Sequence, residues 1–151
     1  MGLDMFLSKK TYVKQWDSQS SEERYGVVVT KGGVPVNDID TTKISYIEEE
    51  VATWRKANHI HLWFVENIQD GVDKCGEYYV SDRELRELLR VCKLVQADNS
   101  LAETLLPTQS GFFFGGTEYD EWYFKNIDYT ISMLEEVLNT DSGDYYYSSS
   151  W

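Results

Sequence analysis

Hydrophobic and polar positions change period several times along the chain, and each change marks an element. Leu3, Met5 and Leu7 alternate with Asp4, Phe6 and Ser8, which predicts a first strand over residues 3–13, close to fully buried. The serines and acids of residues 17–23 predict a solvated loop. Tyr25, Val27 and Val29 alternate with Gly26, Val28 and Thr30, a second strand ending at Lys31-Gly32-Gly33. The glycine pair suits the positive φ of a tight turn, and Pro35 suits a sheet edge. Ile44, Tyr46 and Glu48 alternate with Ser45, Ile47 and Glu49, a third strand paired with the second. Residues 24–49 therefore read as a β-hairpin projecting beside the core, its loop the most mobile segment.

The period then lengthens. Within residues 53–68, Trp54, Ala57, His61, Val65 and Ile68 form one helical stripe, and Ile60, Trp63, Phe64 and Asn67 a second. Two stripes predict a central helix covered on two sides, stopping before Gly71. Tyr78-Tyr79-Val80 predicts a short strand. Ser81 with Glu84 is a capping-box pair for a helix that buries Leu85, Leu88, Leu89, Cys92 and Val95 and leaves its charges in water. Pro107 and three glycines exclude a regular helix over 105–117, where Phe112-Phe113-Phe114 reads as a short strand or hairpin edge. Thr117 is the expected cap of a third helix, with Asp120 and Glu121 at its positive end and Phe124, Ile127, Ile131, Leu134 and Leu138 as its core stripe. The aromatic end Tyr145–Trp151 should pair as a strand or dock on the body. The sum is one α+β domain over 1–151. Its mostly antiparallel sheet comprises the first strand, Tyr78–Val80, Phe112–Phe114 and the C-terminal run, packed with three helices beside the projecting hairpin.

Composition narrows the partners. The net charge is −12, with 26 acidic against 14 basic residues. That balance opposes direct binding to nucleic acid, which needs a basic footprint, and favours a partner with a basic surface. Aromatics make up 15% of the chain, enough for an aromatic core and an aromatic binding face. Cys75 and Cys92 have no metal-ligand spacing and read as two reduced thiols. No long apolar run suggests a membrane span, the N-terminus lacks the basic region of a secretory signal, and Phe6 spoils a myristoylation motif at Gly2.

Candidate chemistry is sparse. His59 and His61 point roughly 200° apart on a helix, so they cannot share one metal, and no metal or cofactor site is predicted. One should face the core and the other solvent. A hydrogen-bonded structural histidine is the favoured reading, and the functional one makes His61 a general base beside Asn58 and Arg55, under a roof from the Thr108–Gly116 loop. Ser110 lacks the glycine two residues earlier that a nucleophile elbow needs, and no P-loop lysine follows the glycines. Thr108, Gln109 and Ser110 beside three Phe residues nevertheless form the preferred ligand or partner edge. Acids cluster at Glu48-Glu49-Glu50, at Glu118, Asp120 and Glu121, at Glu135-Glu136 and at Asp141 and Asp144. Each reads as solvated charge, and collectively they could mimic phosphates before a basic groove.

Several segments together carry a resemblance: Met1–Met5, Trp54-Arg55-Lys56-Ala57-Asn58 through Trp63-Phe64-Val65, Leu106–Gly115, Thr117-Glu118-Tyr119-Asp120-Glu121, and Tyr145–Trp151. The chain resembles a family of small phage and prophage proteins to which no reaction is assigned. The resemblance implies a phage-encoded accessory protein in the cytoplasm of a bacterial host. Expected first is an interaction protein that inhibits a bacterial host or defence protein, CRISPR machinery among the candidates, and that could itself be a homodimer. Glu48, Glu49, Glu50, Phe113, Tyr119, Asp120 and Glu121 are its candidate contacts. The alternative is a nucleotide or metabolite binder, or an enzyme, using Arg55, Asn58, His59 or His61 with Thr108, Gln109 and Ser110.

Overall fold

The computed structural model describes residues 2–140 and 143–151. Its main sheet contains four strands: β1 (Asp4–Tyr12), β4 (Tyr46–Arg55), β5 (Glu77–Val80) and β6 (Asp144–Ser150). They lie in the order β4-β1-β6-β5, every neighbouring pair antiparallel. Two further strands, β2 (Thr30–Lys31) and β3 (Val34–Pro35), form a separate ribbon. The helices are α1 (Asn58–Ile68), α2 (Asp82–Ala97), the single turn α3 (Ala102–Leu105) and α4 (Glu121–Leu138). This is an α+β fold in which three long helices cover one face of the sheet.

β1 is buried on that face alone: Leu3, Met5, Leu7 and Lys9 point into the core, while Asp4, Phe6, Ser8 and Lys10 stay half-buried on the other. The expected two-sided burial is therefore corrected, because no layer covers the second face. The C-terminal run becomes the inner strand β6, and Tyr147 from it stacks on Phe64 of α1 at 3.9 Å, nearly parallel. Trp54 donates its indole N–H to Thr130 of α4 at 2.8 Å, which satisfies the one polar atom of a buried ring. Tyr129 of α4 accepts from the backbone N–H of Thr53 at 3.2 Å and so caps part of the free edge of β4.

Sequence expectation fails where pairing decides. Residues 53–55 belong to β4, and the central helix starts only at Asn58. Lys56, at φ 57°, breaks the strand and turns the chain, while its N–H closes the last ladder bond to Leu3 at 2.7 Å. The third strand pairs with β1, and the second shrinks to Thr30–Lys31. Gly32 and Gly33 do supply the expected positive φ of the turn, at 60° and 79°. Phe112–Phe114 is a turn: Phe113 has φ 65°, and Phe114 N–H donates to the carbonyl of Gly111. The cap of α4 is Asp120, which accepts from Tyr123 N–H at 3.0 Å, not Thr117. At α2 the Ser81–Glu84 capping box is present, and Leu85, Leu88, Cys92 and Val95 are buried as their period requires.

Residues 13–45 leave the sheet as an arm. Val13 and Ser45 close its neck with a 2.9 Å backbone bond. Among the described residues, the hydrogen bonds of 14–44 all end within 12–45, as in Gln15 to Tyr25 and Arg24 to Asp17. No described helix is long and apolar enough to cross a membrane.

Candidate functional site

Two places stand out. The first is the junction between β4 and α1. Asn58, the first residue of α1, is buried and has every side-chain bond committed to the 106–116 loop. Its amide donates to the carbonyls of Phe114 and Gly116 at 3.1 and 2.9 Å, and its oxygen accepts from Gln109 N–H at 2.9 Å. The loop comes close enough for this because Gly115, at φ 89°, lies against Lys56, where a Cβ would approach the Lys56 Cβ to 3.1 Å. Leu3 N–H donates to the carbonyl of Phe113 and ties in the start of the chain.

The pinned loop encloses a cavity of about 280 Å³. From the β4–α1 junction come Arg55, Lys56, Asn58 and His59, and from the loop Thr108, Gly115 and Gly116. The approach and first turns of α4 contribute Glu118, Asp120, Trp122, Tyr123 and Asn126. His59 is 3% exposed, its ring tilted over Tyr123 at 4.1 Å, and its Nε2 has no partner among the described residues. Burial pushes this imidazole down to about 3 against a small opposing pull from the Tyr123 backbone, so it is neutral at ordinary pH.

The predicted junction therefore forms, with one exchange. His59 lines the cavity, and His61 lies on the other side of α1. Its Nδ1 meets the Tyr147 hydroxyl at 2.6 Å, and its Nε2 meets both Asp73 oxygens at 3.1 Å. The tautomer protonated on Nε2 satisfies both partners. Neither histidine faces solvent, which corrects that expectation: the sheet and the C-terminal strand cover one side of α1, and α4 with the loop covers the other. Gln109 lends the junction its backbone N–H, its side-chain oxygen being buried without a partner, while Ser110 is exposed and outside the cavity lining.

The second place is the edge of β4 below the arm. Glu48, Glu49 and Glu50 are exposed, paired in register with Lys10, Lys9 and Ser8. A bulge at Val51 follows them; Glu48 and Glu50, opposite Lys10 and Ser8, share the open face and Glu49 points the other way. None of the three makes an ion pair among the described residues. Beside them Tyr12, Tyr46 and Ile47 are exposed, and the arm adds Trp16, Tyr25, Val28, Val34 and Ile39. The remaining partner candidates lie elsewhere. Phe113 sits beyond the opposite end of β4, roughly 20 Å away by strand rise. Tyr119 accepts from Thr108 N–H, Asp120 caps α4, and Glu121 pairs with Lys125 at 2.7 Å. The seven candidates do not form one surface. Asp141 lies outside the described residues.

Sequence reasoning missed Trp122, which is 71% exposed and falls off the core stripe of its own helix, a visible signal. It placed Lys56 on the polar edge Arg55-Lys56-Asn58-His59 but had no signal for its left-handed conformation, which follows from β pairing. Among the described residues no three His, Cys, Asp or Glu side chains converge to hold a metal. No protein-family model, characterised protein or solved structure matches the chain.

Proposed function

We propose that this chain is a binding protein that docks a protein partner with a basic surface, using the arm and the acidic edge beneath it. The observation that carries this reading is the arm itself. It spans residues 13–45, hydrogen-bonds among the described residues only to itself and its neck, and holds Trp16, Tyr25, Val28, Val34 and Ile39 in water. Solvated apolar side chains on a self-contained extension cost free energy in the free protein and gain it when covered. Next to them Glu48 and Glu50 add carboxylates on one face, Glu48 opposite Lys10, whose ammonium bonds Glu77. Aromatic anchors with adjacent acids match a basic, partly apolar groove, and electrostatics of this kind set encounter rate and partner choice. In the phage setting that the family resemblance implies, such a partner is a bacterial host or defence protein whose groove otherwise takes nucleic acid.

The test is capture from bacterial lysate with three baits: the full chain, a chain with residues 16–43 replaced by a short glycine turn, and Glu48→Lys/Glu50→Lys. The full chain should retain a protein that nucleic acid displaces. The arm replacement should lose it, and charge reversal should weaken it with a shallower salt dependence. Equal retention by all three baits would overturn the proposal.

A further inference from the structure

The cavity at the β4–α1 junction is independent of the arm and has its own recognition chemistry. Its β4–α1 wall is electropositive for two separate reasons. The first turn of α1 has no side-chain cap, Ala57 standing at the N-cap position, so the N–H groups of Asn58 and His59 lack intrahelical acceptors. Lys56 makes no ion pair among the described residues, and Arg55 reaches only Asp4, at 3.7 Å. His59 lines the same cavity as a neutral ring that adds no charge, its Nε2 buried without a partner among the described residues.

The α4 wall is of a different kind. Trp122 offers an exposed indole, and Glu118 and the free amide oxygen of Asn126 offer acceptors, the Asn126 amide nitrogen being committed to the carbonyl of Trp122. Asp120 is largely committed to its cap. A ligand that fits both walls carries an anion at one end and, at the other, a flat ring with amino donors. At about 280 Å³ the space sits at the lower limit of small-molecule sites, enough for one nucleotide and too little for a dinucleotide.

We infer that this cavity is a binding site for a nucleoside monophosphate, with the phosphate at the start of α1 between Arg55 and Lys56, and the base against Trp122 within reach of Glu118. The phosphate takes the free N–H groups of the helix, as helix N-termini take anions generally. The base stacks on the indole, and its amino group donates to a carboxylate or amide oxygen. The carboxylates of Glu118 and Asp120 offset part of the attraction for phosphate, which sets the expected affinity in the micromolar to millimolar range and disfavours a triphosphate.

The experiment is a titration of the full ¹⁵N-labelled chain, followed by amide and indole resonances, with adenosine monophosphate, adenosine and inorganic phosphate as separate probes. Adenosine monophosphate should move the amides of Asn58 and His59 together with the indole of Trp122. Phosphate should move the first set alone, and adenosine the indole alone. Lys56→Glu and Trp122→Ala both alter exposed side chains, so folding can be verified from the unperturbed spectrum. Each should weaken the monophosphate about tenfold or more. The inference is overturned by no shift at the lining residues in millimolar monophosphate, or by variants that bind it as tightly as the wild type. Binding through phosphate alone, with Trp122 silent, would likewise reject the nucleotide assignment.

Discussion

Protonation of His59 is the sharpest handle on the junction. The ring is 3% exposed, and desolvation holds its pKa near 3, whereas in the unfolded chain it titrates near its ordinary 6.5. A histidine whose pKa falls on folding stabilises the fold only while both states are neutral. Its share of stability is complete above the unfolded value, drains away as pH falls through 6.5, and is fully lost below about 3. Between pH 7 and pH 5 the unfolded imidazole takes up roughly three-quarters of a proton and the folded one almost none. Linkage over that window comes to about 2 kcal/mol, a large fraction of the 5–15 kcal/mol typical of a domain. Carboxylates held below their usual range, such as Asp40 and Glu87, titrate lower still and stay out of this window. The assay is urea denaturation at both pH values for the wild type and for His59→Phe, whose ring keeps the slot on Tyr123 but cannot titrate. His61 is present in both proteins, so its contribution cancels. The wild type should lose about 2 kcal/mol more than the variant on acidification. Equal losses, or an imidazole resonance of His59 in the folded protein that titrates near its ordinary value, would refute the reasoning.

Two other outcomes follow from buried groups. Asn58→Ala strips three hydrogen bonds and leaves two carbonyls and one N–H of the 106–116 loop without partners, so it should cost about 2–4 kcal/mol. Hydrogen exchange should quicken first at Gln109 and Phe114; uniform destabilisation would instead mean that the side chain does not pin the loop. For the thiols, Cys75 is exposed, while Cys92 is buried between α2 and the core and pushed up to about 12 by that burial. Native protein should therefore alkylate once and unfolded protein twice; rapid modification of Cys92 in native buffer would reveal opening of the α2–α4 contact.

What the sequence made legible follows the range of the interaction involved. Helices α2 and α4 announce themselves because a 3.6-residue period is a property of one short stretch, and at α2 the Ser81–Glu84 capping box adds to it. Trp54 fitted a helical stripe equally well, yet stands in a strand, because antiparallel pairing with Met5 of β1 decides its conformation from nearly fifty residues away. Tyr25–Thr30 alternated like a strand but found no neighbour long enough to pair with, and alternation without a ladder makes no sheet. The Phe triplet has strand-like composition, overruled once the Leu3 and Asn58 bonds bent the backbone into the turn.

At the junction the same limit operated on a finer scale. The loop was readable as a roof over Arg55, Asn58 and His61, but nothing marked Asn58 as the side chain that pins it. Helical phase also placed the two histidines on opposite sides of α1. Phase alone could not say which side the loop would cover, because that depends on where Lys56 turns the chain out of β4. The result gives α1 two distinct duties at its N-terminal end. Through Asn58 it fixes the loop that shapes the cavity, and through His61 it fixes Tyr147 of β6, while Asp73 also accepts from the Trp151 indole at 3.2 Å. The first turn of this helix thus locks the cavity loop and the C-terminal strand to one rigid element. The cavity walls are preorganised as a consequence, whereas among the described residues the arm shares none of these ties.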